Sequence, residues 1–236
     1  MAKGIIYLIP SVIEPDTQKS VLTNQVNEIV RTTHYFIAET IRESRRFISS
    51  LQLGIDISEL HFEKVDKHTS KQEAERYLRP ALDGHTIGVL SDAGCPGVAD
   101  PGALVVGIAH KLGLKVVPLV GPSSLLLALM ASGMNGQSFA FNGYLPIDQK
   151  EATQAIQKFE KVSNSNNQTQ LFIETPYRSD RTFNLLLNSL HPQTMLCIAR
   201  NITGANELIQ TKSIERWKAH KITIGKEPTV FLLLSS

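Results

Sequence analysis

The sequence of 236 residues has little net charge and no long apolar run. Lys and Arg number 24 against 22 Asp and Glu, and the formal charge of +2 is low for a protein that grips nucleic acid by electrostatics alone. The longest apolar run after the first strand, Leu125 to Ala131, is far too short to cross a membrane. Disorder is excluded as well, because 42% of the residues are hydrophobic and supply a core.

Cysteine is also scarce. Cys95 and Cys197 stand far apart and fit no metal-ligand spacing, and the seven histidines are scattered without such spacing, so we expect no metal site. The sequence shows neither a disulfide framework nor a signal peptide. We therefore expect a protein of the reducing cytoplasm.

Short apolar runs alternate with amphipathic stretches along most of the chain. Continuous apolar runs at residues 4–9, 86–90 and 115–120 predict buried strands, and the stretches between them predict helices. This alternation predicts an α/β fold with mainly parallel sheets.

Local signals predict where several elements begin and end. Ser70 followed by Glu73 predicts a capping box for a helix that runs to Leu82. Pro101 is expected to be the first residue of a helix. The polar run at residues 163–168 predicts a surface loop.

The most informative loop follows the predicted strand 86–90. Residues 91–102 contain three glycines and two prolines, which specify a rigid backbone that can approach a ligand closely. Ligands of open α/β sheets bind beyond the carboxyl ends of strands, where this loop stands. Asp92 and Asp100 bracket the loop with hydrogen-bond acceptors, although Asp100 is equally suited to cap the next helix.

A second loop, residues 121–124, also joins a strand to a helix. Free backbone amides and the hydroxyls of Ser123 and Ser124 suit a carboxylate or a ribose, and simple capping by Ser123 is the alternative. The loop lacks the Lys-Ser/Thr ending of a P-loop. No Gly-x-Gly-x-x-Gly follows the first strand, which argues against a dinucleotide-binding Rossmann fold.

Several segments together resemble one superfamily, the tetrapyrrole-methylase-like methyltransferases that use S-adenosylmethionine. Within it they look most like the branch that methylates a ribose 2′-hydroxyl of small-subunit ribosomal RNA. The resemblance runs in order over essentially the whole chain. The matching segments are Glu39-Thr-Ile-Arg42 with Arg45, Ser91-Asp-Ala-Gly-Cys-Pro-Gly-Val-Ala-Asp-Pro-Gly102, Val116-Val-Pro-Leu-Val-Gly-Pro-Ser-Ser124, Ala131-Ser-Gly133, Gly143-Tyr-Leu-Pro146, Phe172-Ile-Glu-Thr-Pro-Tyr-Arg178 and Ala199-Arg-Asn-Ile-Thr203.

The resemblance implies two α/β domains, residues 1–118 and 119–236, with S-adenosylmethionine in a cleft between them. It also implies a homodimer that acts on small-subunit ribosomal RNA, without a membrane partner. The cofactor contacts implied by the matching positions are Pro10, Ala93, Gly94, Cys95, Val98, Ser123, Ser124, Glu174, Ile202, Pro228 and Thr229.

The chemistry of methyl transfer suits these residue types. The cofactor carries its own electrophile, so the protein mainly binds and aligns the reactants. A hydroxyl acceptor must also lose a proton, and Asp100 is the candidate base. Arg42 and Arg178 are candidates for gripping a substrate phosphate or the developing negative charge; a surface ion pair is the alternative for each.

Three departures from the RNA-methylating branch bear on the substrate and leave the cofactor loops nearly intact. The Gly-Asn turn that follows the first strand in that branch is replaced here by the residues after Pro10. Residues 147–155 are nearly neutral where the branch is basic, and the sequence ends at Ser236, where the branch continues into a helical extension. Two other functions therefore remain open: a methylase of a tetrapyrrole or another small molecule, and a cofactor-binding module that does not catalyse.

Overall fold

A computed structural model describes residues 2–235. The chain divides into two compact units, Met1–Ser123 and Ser124–Ser236, each built around a five-stranded sheet. Because each unit carries its own sheet and its own hydrophobic clusters, we describe them one at a time.

The first unit is a parallel sheet with helices on both faces. Its strands lie in the order β3-β2-β4-β1-β5, and every neighbouring pair is parallel. The strands are β1 (Ile5–Ile9), β2 (Tyr35–Ala38), β3 (His61–Lys64), β4 (Ile87–Leu90) and β5 (Lys115–Pro118). The helices are α1 (Gln18–Val21), α2 (Asn24–Thr32), α3 (Ile41–Ser50), α4 (Lys71–Tyr77), α5 (Arg79–Leu82) and α6 (Gly102–Lys111), with a 3₁₀ turn at Ile57–Glu59.

The connections of this sheet reverse direction between β1 and β4. Helices α2 and α3, which follow β1 and β2, pack on one face through residues such as Val26 and Ile48. Helices α4 and α6, on either side of β4 in sequence, pack on the other face through residues such as Ala74 and Val105. The adjacent strands β1 and β4 thus send the chain to opposite faces, and the crevice between their ends is where ligands of such sheets bind.

Local sequence signals explain several helix ends in this unit. The Ser70–Glu73 capping box is confirmed, but the helix predicted to reach Leu82 is interrupted after Tyr77. Pro80 has no N–H to donate, and the chain restarts there as the short α5. Helix α6 begins at Gly102, one residue beyond the predicted start.

The second unit is a mixed sheet in the order β6-β7-β10-β8-β9. Its strands are β6 (Phe139–Tyr144), β7 (Thr169–Glu174), β8 (Met195–Arg200), β9 (Leu208–Ser213) and β10 (Thr229–Leu234). Its helices are α7 (Ser124–Ser132), α8 (Gln149–Asn166), α9 (Ser179–Ser189) and α10 (Ile214–Ala219). Helices α8, α9 and α10 pack on one face of the sheet, and α7 packs on the other.

The expectation of mainly parallel sheets is correct for the first unit and wrong for the second. Only β6 and β7 pair in parallel. The last strand, β10, inserts between β7 and β8 and runs antiparallel to both, while β9 runs antiparallel to β8. The short connection at residues 201–207 explains the last pairing, because so few residues cannot carry the chain back for a parallel crossover.

The expectation of a surface loop at residues 163–168 is also wrong, because α8 continues through Asn166. Ser163 is fully buried, and its hydroxyl accepts a hydrogen bond of 2.9 Å from the backbone N–H of Ser235. Asn167, in the left-handed conformation with φ 47°, ends the helix. The polar composition is that of an exposed helix face and not of a loop.

Among the helices of residues 2–235, none is both long and apolar enough to cross a membrane.

Candidate functional site

The loops after β1, β4 and β5 meet at the carboxyl edge of the parallel sheet. The backbone N–H of Ser11 donates to the carbonyl oxygen of Gly94 at 2.9 Å, and its hydroxyl donates to the carbonyl oxygen of Ser91 at 2.8 Å. The Cys95 thiol lies 3.3 Å from the carbonyl oxygen of Pro122 and donates to it. The three loops therefore form one hydrogen-bonded wall at the switch point of the sheet.

Glycine permits the close approach of these loops. Gly94 has φ +70°, in the left-handed region that favours glycine. A Cβ atom on Gly121 would lie 2.2 Å from Cγ of the buried Pro10, so no side chain fits there without displacing the loop after β1. The wall is thus backbone-rich, which suits close contact with a ligand.

The structure brings together the residues predicted to contact a cofactor from the first unit. Pro10 and Gly94 are buried within the wall, whereas Ala93 and Val98 present exposed side chains. Burial raises the pKa of the Cys95 thiol, which keeps it in the neutral form. The predicted residues gathered at this edge are Pro10, Ala93, Gly94, Cys95, Val98 and Ser123.

The Asp100 side chain stabilises the loop at residues 91–102 through hydrogen bonds to its backbone. Its Oδ1 accepts hydrogen bonds from the backbone N–H groups of Gly97 at 2.8 Å and Gly102 at 2.7 Å. The second of these bonds satisfies a free amide at the start of α6, as the capping alternative predicted. Its Oδ2 is buried and has no hydrogen-bond partner among the described residues.

A second carboxyl, that of Glu39, lies beside Asp100. Burial, followed by repulsion from Asp92 and Asp100 and a hydrogen bond with Asp100, raises the pKa of Glu39 from 4.5 to about 7. A protonated Glu39 carboxyl can donate a hydrogen bond to Asp100, whose Oδ2 has no other partner among the described residues. Asp92 is itself held by Thr40, whose N–H and hydroxyl donate to it at 3.0 and 2.7 Å.

Glu39 belongs to the motif at residues 39–42, but its place in the site was not predicted from the sequence. The available signal was its position directly after β2, since β2 and β4 are adjacent and parallel and their ends meet at one edge. What the sequence did not reveal was the adjacency itself, which brings Glu39 near residues 53 and 61 positions further along.

Arg42 stands in the first turn of α3, close in sequence to Glu39. Its side chain is exposed and has no hydrogen bond or ion pair within residues 2–235. In contrast, Arg46 on the same helix forms an exposed ion pair of 2.9 Å with Glu43. Arg42 is thus available to contact a ligand.

The two charged residues singled out at the end of β7 bind each other. Arg178 Nη2 donates to Glu174 Oε2 at 2.7 Å and to the carbonyl oxygen of Leu145 at 2.8 Å. Glu174 also accepts hydrogen bonds from the Thr182 hydroxyl at 2.9 Å and the Thr175 N–H at 2.8 Å. Arg178 therefore positions a buried carboxylate in this structure, so its ion pair is a buried one and not the surface pair named as the alternative.

The other predicted cofactor residues of the second unit lie at the same end of the sheet as Glu174. Thr229 at the start of β10 is the register partner of both Glu174 and Arg200. The N–H of Asn201 donates to the carbonyl oxygen of Pro228 at 3.0 Å. The predicted residues Glu174, Ile202, Pro228 and Thr229 consequently lie at one end of the mixed sheet, while Ser124 is the first residue of α7.

The loop after β8 is strained at this same end. Asn201 and Thr203 adopt φ +49° and +70°, which non-glycine residues rarely do. The Oδ1 atom of Asn201 is buried without a hydrogen-bond partner among the described residues. Strain and unsatisfied polar atoms concentrate at functional sites, so both observations mark this loop as a candidate ligand contact.

Two cavities of the first unit lie elsewhere. They have volumes of about 250 and 370 Å³, and both are lined by Tyr35 and His61 at the amino ends of β2 and β3. None of the predicted site residues lines either cavity. The hydrogen-bonded loops at the opposite, carboxyl edge remain the better candidate, because ligands of parallel sheets bind there.

A doubly wound parallel sheet followed by a mixed sheet is a fold shared with methyltransferases of known structure. The methyltransferase CobJ superimposes with a TM-score of 0.64 at 17% identity, over 100% of this chain and 95% of that one. The uroporphyrin-III C-methyltransferase of Thermus thermophilus, in complex with S-adenyl homocysteine, gives a TM-score of 0.58 at 18% identity, over 98% and 97%. The predicted α/β fold class is confirmed.

Curated sequences also confirm the resemblance drawn from the motifs. Ribosomal RNA small subunit methyltransferase I of Vibrio cholerae is 29% identical over 206 residues, which are 87% of this chain and 67% of that protein. Other relatives with the same description are 26–34% identical. The chain thus spans about two thirds of the length of the V. cholerae relative. No protein-family model matches it.

Proposed function

We propose that this chain is an S-adenosylmethionine-dependent methyltransferase that acts on a ribose 2′-hydroxyl of small-subunit ribosomal RNA. The observation that carries the proposal is the hydrogen-bonded wall at the switch point, in a chain whose curated relatives are small-subunit ribosomal RNA methyltransferases. The motifs at Glu39–Arg42 and Glu174–Arg178 support the ribose-methylating branch.

The residues of the wall fit the proposed cofactor. Gly94 and Gly121 let the three loops pack closely together, and the Ser123 hydroxyl can bind a ribose or a carboxylate. The bound cofactor supplies the methyl group as an electrophile. The chain's own task is then to hold the acceptor oxygen in line with it and exclude water.

Proton removal from the acceptor is assigned to the Asp100–Glu39 pair. Asp100 is held in place by two backbone amides, and Glu39 beside it has a pKa of about 7, near the pH at which a general base works best. We propose that the pair takes up the hydroxyl proton and that Arg42 contacts substrate phosphate. Arg178 acts through Glu174, as a positioning residue.

Calorimetry with S-adenosylmethionine tests the cofactor assignment. The affinity of the wild-type chain is compared with that of the Gly121→Ala variant. We expect saturable binding by the wild-type chain at sub-millimolar concentration and weaker binding by the variant. Absence of wild-type binding in that range contradicts the assignment.

Transfer of labelled methyl to purified small ribosomal subunits that lack the modification tests the substrate. Digestion of the labelled RNA to nucleosides then shows whether the methyl is on the ribose. Label on a tetrapyrrole and none on the subunits supports the small-molecule alternative. Cofactor binding without any transfer supports the non-catalytic module.

We further propose a homodimer that acts in the cytoplasm, where the proposed ribosomal substrate is found. Leu126 and Met130 on α7 are 51% and 79% exposed, and this helix carries no charged residue. Such an apolar surface favours burial against a second copy. Light scattering at micromolar concentration is expected to give twice the chain mass; a monomer contradicts the dimer.

A further inference from the structure

One segment of the chain is strongly basic although the chain as a whole is nearly neutral. Residues 212–226 contain five Lys or Arg and a single Glu, so the segment carries a charge of +4 in a chain whose total is +2. Four of its cations are exposed, namely Arg216, Lys218, Lys221 and Lys226. The rest of the chain is therefore net acidic, and positive charge is concentrated in this stretch of the sequence.

An exposed aromatic ring accompanies these cations. Tyr177, in the loop after β7, is 84% exposed, and the ammonium group of Lys226 lies 5.6 Å from the centre of its ring. A ring so exposed contributes little to the core. An aromatic face beside a cation is the combination that binds single-stranded nucleic acid, because bases stack on the ring and phosphates attract the cation.

The loop that carries Lys226 is held by hydrogen bonds from two directions. The Asp180 carboxylate accepts from the N–H groups of Ile224 at 2.7 Å and Gly225 at 3.2 Å. Arg200 Nη1 donates to the carbonyl oxygen of Ile224 at 2.8 Å. Because these hydrogen bonds hold the loop backbone, less conformational entropy is lost when it binds a ligand.

This surface adjoins the predicted cofactor residues of the second unit. Tyr177 follows Glu174 by three residues, and Lys226 precedes Pro228 by two. Glu174 and Thr229 are register partners, so both loops leave the same end of the sheet. An RNA strand bound to Tyr177 and Lys226 therefore lies next to that end of the sheet.

We propose that Tyr177 and Lys226, with the exposed cations of residues 212–226, bind a single-stranded segment of the RNA substrate. Tyr177 stacks on a base and the ammonium and guanidinium groups contact phosphates. The inference rests on the proposed function, whose RNA-binding surface it names.

Fluorescence anisotropy of the full chain with a labelled single-stranded RNA of about 12 nucleotides tests the proposal. We expect Tyr177→Ala to raise the Kd about tenfold or more, and Tyr177→Phe to stay within about twofold of wild type because the ring is retained. The matched control Phe139→Ala removes an exposed ring from β6 and is expected to leave the Kd unchanged. Equal losses in Tyr177→Ala and Phe139→Ala overturn the proposal.

Salt dependence separates phosphate contacts from general charge. Lys226→Gln is expected to weaken binding and to reduce the slope of log K against log salt by about 0.7, as for one phosphate contact. Lys161→Gln, which removes an exposed Lys from α8, is expected to leave the slope unchanged. A duplex RNA that binds as tightly as the single strand overturns the stacking role.

Calorimetry with S-adenosylmethionine on the same variants keeps this inference distinct from the proposed function. Wild-type methylation of ribosomal subunits with an unchanged KM in Tyr177→Ala overturns the surface and leaves the function standing. Loss of RNA affinity in Tyr177→Ala, in a chain that binds no cofactor, supports the surface and contradicts the proposed enzyme.

Discussion

Arg178 donates a hydrogen bond of 2.7 Å to Glu174, whose side chain is completely buried at the end of β7. The two residues are four positions apart, and the Arg side chain itself is 24% exposed. A buried carboxylate is stable in the folded state only when its charge is matched and its oxygens are hydrogen-bonded. The resemblance to RNA methylases suggested a substrate contact for Arg178, whereas the geometry gives it this partner.

Replacing Arg178 by Ala is therefore expected to destabilise the fold by about 3 kcal/mol, near the lower limit for breaking a buried pair, since Thr182 and Thr175 still donate to Glu174. Urea unfolding followed by circular dichroism measures the change. Arg181→Ala, which removes an exposed cation from the first turn of α9, should shift stability by less than about 0.5 kcal/mol. An Arg178→Ala variant with wild-type stability and lost activity points instead to direct substrate contact.

The raised pKa of Glu39 predicts that the stability of the folded chain depends on pH. Its pKa is about 7 in the folded chain and 4.5 as an ordinary carboxyl, so between these values the folded state holds a proton that the unfolded state has released. The contribution of Glu39 to the free energy of unfolding is thus full below pH 4.5 and falls as pH rises toward 7. Urea unfolding at several pH values should show a flatter profile for Glu39→Gln than for wild type. Parallel profiles contradict the raised pKa.

The close approach of Gly121 to Pro10 predicts that a larger side chain at position 121 destabilises the wall of loops. Gly121→Ala places a methyl group against Pro10, and we expect a loss of about 1–3 kcal/mol in stability as the loop after β1 shifts. Gly107→Ala is the matched control: apart from the backbone of α6 itself, no atom lies within 4 Å of its added Cβ, and Ala favours a helix by up to about 1 kcal/mol. Thermal unfolding compares the two. A stable Gly121→Ala chain shows that the contact with Pro10 can relax.

The exposed, unpartnered position of Arg42 among the described residues predicts that its replacement changes activity but not stability. Because it has no partner among the described residues, Arg42→Ala should change stability by less than about 0.5 kcal/mol. If it contacts substrate phosphate, methylation of ribosomal subunits should show a raised KM. Arg46→Ala on the same helix, which loses only an exposed ion pair with Glu43, should retain the wild-type KM. Equal KM values for both variants contradict a role for Arg42.

Much of the first unit could be predicted from the sequence because its signals are local. The continuous apolar strands, the Ser70–Glu73 box and the Gly- and Pro-rich loop each depend on residues close together in the chain. The second unit was predicted less well. The position of β10 between β7 and β8 is a long-range choice among strands, which periodicity does not encode.

The sequence by itself determined which residues form the rigid loop, since the allowed backbone conformations of Gly and Pro are properties of those residues. It also carried the motifs that relate the chain to small-subunit ribosomal RNA methyltransferases. The tertiary structure alone decided the partner of Arg178, the proximity of Glu39 to Asp100 and the pairing of Tyr177 with Lys226. Charge and pKa depend on burial and on neighbours in space, and the last two of these pairs join residues more than forty positions apart.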